Sequence, residues 1–98
     1  MAPSGGLQPA VPMPEISRFL GIVIQMYYRE HGPPHFHAVY GSAEASICID
    51  PPGLLNGVIP PRVLAIVVEW GSLHQAELRE NWSRLRDHKD PFPIAPLA

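Results

Sequence analysis

Residues 31–37, which read HGPPHFH, hold three of the five histidines of this 98-residue chain and two adjacent prolines. Histidine exchanges protons near neutral pH, and it is also the commonest metal ligand among side chains. Two chemistries are therefore open to His31, His35 and His37: proton transfer and metal binding. A third interpretation is structural, in which the rings hydrogen-bond backbone carbonyls and order the Gly-Pro-Pro turn.

Proton transfer by these histidines predicts an RNA-cleaving site. His35 and His37 are two residues apart on a predicted strand, so their rings share one face within roughly 7 Å, and His31 reaches in from the preceding loop. One positioned histidine contributes about 10²–10⁴-fold to a rate, and a cation that steadies the phosphate completes a metal-independent site. Arg29 and Arg62 are the candidate cations. The predicted catalytic set is His31, His35, His37 and Arg29.

Metal binding is the alternative at the same histidines. The His-x-His pattern supplies two ligands, and His31, Glu44 or Cys48 supplies a third, which is enough for an open zinc site. We predict His35, His37 and Glu44 as this alternative set, with a zinc-like ion as the one cofactor that the sequence suggests. Neither a Cys-x-x-Cys nor a His-Glu-x-x-His pattern is present. Cys48 is more typical of a small buried apolar residue, and as a nucleophile beside His35 it lacks an identifiable oxyanion site.

The histidines lie on a predicted β-hairpin. Residues 35–41 and 43–49 flank a two-residue turn at Gly41, and Tyr40 then lies opposite Ala43. Because side chains alternate along a strand, this register separates two faces. The apolar face holds Phe36, Ala38, Tyr40, Ala43, Ala45, Ile47 and Ile49, and the polar face holds His35, His37, Val39, Glu44, Ser46 and Cys48.

The remaining patterns predict an α+β fold. Residues 19–28 are apolar and β-branched, which predicts a first strand, and residues 54–59 suggest a further strand or hairpin. After the two prolines at 60–61, apolar residues recur at helical spacing to about residue 87. Gly71 predicts either a kink or one long helix with a close backbone contact. We therefore expect a small antiparallel sheet of three to four strands, followed by one long or kinked C-terminal helix packed on one face.

Composition indicates one small domain. Residues 1–12 lack periodic apolar residues and predict a flexible extension, with Met13 as a second candidate start. Residues 13–89 form the predicted domain, and residues 90–98 form a proline-rich extended tail.

The net charge and the number of cysteines limit which partners and which cellular compartment we expect for this chain. A net charge of −2 supplies no general attraction to nucleic acid or anionic membranes, so RNA binding requires a local patch. The chain has no apolar run of about 18 residues, and its single cysteine cannot form an internal disulfide. We expect a cytoplasmic protein with no membrane partner.

Three segments resemble one bacterial family. PEISRFLGI from residue 14, HGPPHFH from residue 31, and PPR from residue 60 with the later EW and ELxxNW pieces are similar to domain-of-unknown-function family 4160. The resemblance spans about residues 13–97. It implies a small bacterial or phage protein, often encoded beside a second small protein of family 2442, and some members are described as toxin-antitoxin components. It supplies no catalytic residues.

Two functional classes follow. The first is a toxin-like effector whose His31, His35 and His37 face acts on RNA and is held inactive by a partner chain. The second is a non-catalytic binding or regulatory module for a protein or nucleic acid. The absence of a long partner-binding arm favours the toxin. Exposed apolar surface and a free sheet edge favour either the neighbouring small protein or a homodimer as the partner.

Overall fold

The computed structural model describes residues 14–98, which form one antiparallel sheet and two helices. The elements are β1 (Glu15–Phe19), β2 (Ile22–Gln25), β3 (His35–Tyr40), β4 (Ala43–Cys48), β5 (Gly53–Val58), α1 (Pro61–Leu73) and α2 (Gln75–Arg86). The strands lie side by side in chain order. The α+β class is confirmed, but these residues form five strands instead of three or four and two helices instead of one. Neither helix is long and apolar enough to cross a membrane.

The predicted single strand over residues 19–28 is wrong, because the chain reverses inside it. Leu20 and Gly21 both have positive φ angles, 54° and 78°, and form the turn between β1 and β2. Leu20 is 68% exposed at the tip of this turn. An unbroken run of apolar residues hides such a turn, since buried strands on both sides of it give the same signal.

The predicted register of the β3–β4 hairpin is confirmed. Tyr40 pairs with Ala43 at the turn, and His35 pairs with Cys48 at the open end. The predicted apolar face forms the floor of the core, with five members buried: Phe36, Ala38, Ala45, Ile47 and Ile49. The polar face of this hairpin is not open to solvent at its histidines. Its two histidines, His35 and His37, are only 5% and 7% exposed.

Most of the predicted C-terminal apolar stripe lies in the core, but Leu73 is 65% exposed and the helix divides in two. The break lies at His74, whose φ and ψ of −117° and 28° are not helical. Gly71, three residues earlier, is buried inside α1, where an added Cβ would lie 3.2 Å from Cζ of Phe36. Gly71 therefore lets the backbone of α1 pack closely against Phe36 of the sheet, and the break in the helix lies elsewhere, at His74. Trp70 beside it packs its ring 5.6 Å from that of Phe36.

The residues after α2 contain no helix or strand, yet they are bonded to the rest of the domain. The side chain of Asn81 donates to the carbonyl of Phe92 at 2.9 Å and accepts from its N–H at 2.8 Å. The N–H of Ile94 donates to the carbonyl of Ile16 on β1 at 2.8 Å, and Ile94 is buried. This segment thus joins α2 to the edge of the sheet. Residues 1–12, predicted to be flexible, and Met13 lie outside the described residues.

Candidate metal centre

The loop between β2 and β3 folds back over the histidine face of the sheet. It begins at Met26, which is fully buried and donates its N–H to the carbonyl of Pro14. The ring of Tyr27 stacks on that of His37, with 4.3 Å between ring centroids and 21° between planes. Arg29 then adopts a left-handed backbone with φ 53°. This course brings the carboxylate of Glu30 above β3 and buries both strand histidines.

Glu30, His35 and His37 converge at one point. Nε2 of His37 lies 2.9 Å from both carboxylate oxygens of Glu30, and Nε2 of His35 lies 3.2 Å from one of them. Each residue offers a ligand atom within 4.8 Å of the other two. The side chains of His35 and His37 are 7% and 9% exposed, whereas that of Glu30 is 24% exposed. The cluster is therefore enclosed on the histidine side and open on the Glu30 side.

The opposite nitrogens of the two rings are held by acceptors. Nδ1 of His35 lies 2.8 Å from the carbonyl of Pro33, which can only accept, so this nitrogen carries the hydrogen. Nδ1 of His37 lies 3.3 Å from a carboxylate oxygen of Glu44 and 3.4 Å from the hydroxyl of Ser46. Metal-binding histidines typically donate their second N–H to a carbonyl or a carboxylate in this way.

Because Nδ1 of His35 carries the hydrogen, the lone pair on Nε2 of a neutral His35 ring points at the carboxylate of Glu30. A neutral imidazole with its hydrogen on Nδ1 can only accept through Nε2, and the carboxylate can only accept as well. Nε2 of His35 and the carboxylate therefore have no hydrogen to share unless a cation lies between them. That cation is either a proton on the ring or a metal ion. The arrangement is suited to both.

Two carboxylates act on the neighbouring phenol. Burial raises the pKa of Tyr27 above its ordinary value of 10.0, and the negative charges of Glu44 and Glu30 raise the pKa further. Tyr27 is therefore a neutral phenol around neutral pH. It packs on His37 as an aromatic wall and is not an anionic ligand.

A comparison with protein families decides what kind of chain this is. The profile described as "Domain of unknown function (DUF4160)" matches residues 21–83, almost two thirds of the chain. The chain belongs to the DUF4160 family. The resemblance seen in the sequence is thereby confirmed, and Glu30, His35 and His37 all lie within the matched range. No curated protein and no solved structure matches the DUF4160 chain significantly.

The structure brings only part of the predicted site residues of this DUF4160 chain together. His35 and His37 are adjacent, as predicted. Glu44, the predicted third ligand, lies at Nδ1 of His37, on the side of the ring away from Glu30. Cys48 is opposite His35 in the sheet, and no hydrogen bond joins their side chains. Glu30 was not predicted, although its position directly before His31 was a signal for it.

His31 and Arg29 lie outside the buried cluster. His31 is exposed and lines a surface depression of about 280 Å³ together with Glu30, Trp82 and Arg86. Arg29 lines an adjoining depression that shares Glu30, His31 and Arg86. The other candidate cation, Arg62, is at the exposed start of α1 and lines neither depression. Glu30 is thus the residue common to the buried cluster and the surface depressions.

Proposed function

We propose that this DUF4160 protein binds a divalent metal ion of the zinc class through Glu30, His35 and His37. One observation carries the proposal: two buried Nε2 atoms and a carboxylate converge within 4.8 Å, while Nδ1 of His35 is committed to Pro33. Two imidazoles and one carboxylate are a typical set of three protein ligands for zinc and related ions. Glu44 then serves as the outer partner that orients His37.

The reaction class we propose is hydrolysis assisted by this metal. An ion held by three protein ligands keeps a position for water and lowers the pKa of that water towards neutrality. Among the three ligands only Glu30 also lines the surface depressions. A substrate therefore reaches the ion from the side of Glu30, and the stacked ring of Tyr27 closes another side of His37.

Metal-free, histidine-dependent cleavage of RNA by a toxin-like effector is the second candidate function. It is favoured by the exposure of His31 beside Arg86, where a histidine is free to exchange protons with a bound substrate. His35 and His37 suit it less well. They are buried, and both ring nitrogens of His35 already face protein acceptors.

A zinc titration of the chelator-treated full-length chain tests the first proposal. Calorimetry is expected to show one ion per chain. Glu30→Gln keeps the shape of the side chain but removes its charge, and it is expected to weaken zinc binding by more than about a hundredfold. His37→Asn is expected to do the same. The matched control is His74→Asn, because His74 pairs with Glu77 in a second, exposed His–Glu contact.

Two results would contradict the metal proposal. One is a wild-type chain that binds neither zinc nor cobalt at millimolar concentration. The other is zinc binding that survives in folded Glu30→Gln and is lost in His74→Asn. Circular dichroism of each variant establishes that it is folded, and Glu30→Gln remains informative if the buried His37→Asn unfolds.

Growth of a bacterial culture separates the two catalytic candidates. The full chain is induced, and total RNA is followed with culture density. Arrest with RNA loss that Glu30→Gln abolishes and His31→Ala retains supports metal-dependent cleavage. The reverse pattern supports the metal-free candidate. Normal growth on wild-type expression, with the protein folded and abundant, rejects a toxin-like effector.

A further inference from the structure

Three basic side chains surround the open side of the Glu30 cluster. Arg29, His31 and Arg86 line two adjoining depressions, and Glu30 lies at the shared boundary. We call Arg29, His31 and Arg86 the cationic rim. Arg86 also lines a third depression with Ser83 and Asp87, so this residue borders all three.

The guanidinium of Arg86 has no hydrogen-bond partner within the part of the chain that the structure describes. Among residues 14–98 the side chain of Arg86 makes no ion pair or hydrogen bond, in contrast to the other two arginines of α2. Arg79 pairs with Asp50, and Arg84 donates to the carbonyl of Asp90 and lies over the ring of Phe92. A guanidinium carries five N–H donors in a planar fork that fits two oxygens of a phosphate. Within the described residues, Arg86 is therefore the arginine of α2 whose guanidinium is available to a phosphate.

Arg29 is held at the rim by an unusual backbone. Its φ of 53° is left-handed, which a residue other than glycine adopts at a cost and which occurs often at functional sites. Its Nη1 donates to Nε2 of His88, whose own φ is 60°. The ring of His88 in turn stacks on Tyr28 at 6.0 Å. The hydrogen bond to His88 thus holds the side chain of Arg29 beside the end of α2.

We propose that the cationic rim binds a phosphate group of the substrate. Arg86 and Arg29 supply bidentate donors, and the ring of His31 supplies a further N–H donor. The depression that Arg29, His31 and Arg86 all line has a volume of about 220 Å³, which is room enough for the group. In the adjoining depression, an added Cβ at Gly32 would meet nothing within 4 Å. The carboxylate of Glu30 faces the rings of His35 and His37, with Nε2 of His37 2.9 Å from its oxygen. The inference deepens the proposed metal site and names its substrate class.

Inorganic phosphate titrated into the metal-free full chain tests the rim by itself. At low ionic strength, the backbone amide resonance of Gly32 and the side-chain resonances of Arg86 are expected to shift together. Arg86→Gln is expected to weaken this binding at least about tenfold. The control is Arg62→Gln, which removes the same charge at another exposed site and is expected to bind as the wild type does. Equal weakening in both variants, or no shift in the wild type, would overturn the proposal.

A second titration distinguishes the source of the phosphate group. A five-nucleotide single-stranded RNA that binds more tightly than phosphate, and loses this affinity in Arg86→Gln, identifies a nucleic acid. Equal affinities identify a free phosphate or a small phosphate ester. RNA binding that Arg86→Gln leaves unchanged would overturn the rim as the recognition site.

The phosphate-binding proposal and the metal-binding proposal can be rejected independently of each other. Arg86→Gln is expected to leave cobalt binding unchanged, and Glu30→Gln is expected to remove cobalt binding while phosphate still binds the metal-free chain. Loss of phosphate binding in folded, metal-free Glu30→Gln would mean that the rim is not a site of its own. A wild-type chain that binds phosphate but not cobalt would reject the metal site and support the cationic rim.

Discussion

The backbones of His35 and His37 are part of strand β3, and both ring nitrogens of each residue face protein acceptors in or beside the candidate site. Their spacing puts the two rings on one face of β3, which the period of a strand predicts directly. Their burial does not follow from that period. It depends on Tyr27 and Glu30, which a loop with a left-handed residue at Arg29 brings over the sheet. The histidine pair was therefore predictable from local pattern, and the carboxylate between the rings was not.

Glu44 orients His37 without reaching the centre of the cluster. Its carboxylate lies 3.3 Å from Nδ1 of His37, opposite the nitrogen that faces Glu30. Removing such an outer partner typically costs ten- to a hundredfold in metal affinity. We expect Glu44→Ala to weaken zinc binding by about tenfold, as measured by calorimetry.

Glu77→Ala is the control for Glu44→Ala, because Glu77 contacts the exposed His74. This variant is expected to bind zinc as the wild type does. If Glu44→Ala weakens zinc binding by more than Glu30→Gln does, the ligand assignment is reversed, and Glu44 is the ligand that the sequence pattern first suggested.

At the scale of elements, β5 depends on one glycine. Gly57 has a φ of 92°, and an added Cβ would lie 2.6 Å from the carbonyl oxygen of Glu44 and 2.8 Å from Cα of Ala45. Both neighbours are backbone atoms of β4, so a rotamer change cannot relieve the contact. The pairing of β4 with β5 also shifts register between Ser46 and Ile47. Only glycine fits at this position of the sheet.

Gly57→Ala is expected to lower the free energy of unfolding by at least about 2 kcal/mol, because it combines a disfavoured backbone with a backbone clash. Gly53→Ala in the same strand is the control. Its added Cβ meets nothing within 4 Å, and a change within about 1 kcal/mol is expected. Urea unfolding measures both. Equal stabilities for the two variants would show that the approach of β5 to β4 is looser than described.

In the two helices, the spacing of apolar residues predicts which face is buried but not where one helix ends and the next begins. The apolar stripe predicted the buried face of both helices, since Trp70 and Trp82 are in the core. It did not predict the break at His74, because the apolar spacing continues across it. A tertiary contact lies beside the break: the side chain of Gln75 donates to the carbonyl of Ile49 at 2.8 Å. Such a contact is not visible in local sequence.

At the scale of the whole molecule, the C-terminal segment completes the domain. It is bonded to α2 through Asn81, to α1 through the donation of Trp70 Nε1 to the carbonyl of Ala95, and to β1 through Ile94. Its prolines correctly predicted an end to the helix. Its long-range bonds were not predictable, because they join residues far apart in sequence.

Asn81→Ala is expected to release this segment. Asn81 is fully buried, and its loss leaves both backbone groups of Phe92 without their partners. We expect a loss of about 2–3 kcal/mol in the free energy of unfolding and faster proteolysis after residue 88. Ser83→Ala, at an exposed position of the same helix, is the control. Unchanged proteolysis in Asn81→Ala would show that other contacts hold the segment.

Family membership, fold class and the register of the central hairpin were all correct from the sequence. The turn at Leu20 was missed because the residues on both sides of it are apolar. The cytoplasmic location and the partner chain implied by the family remain predictions, as does the toxin-like role.

The most direct measurement is a crystal structure of the zinc-soaked protein with anomalous diffraction recorded on both sides of the zinc absorption edge. We predict one strong peak about 2.0–2.2 Å from Nε2 of His35, Nε2 of His37 and an oxygen of Glu30. A peak only at His74, or none between His35 and His37 at saturating zinc, would contradict this prediction.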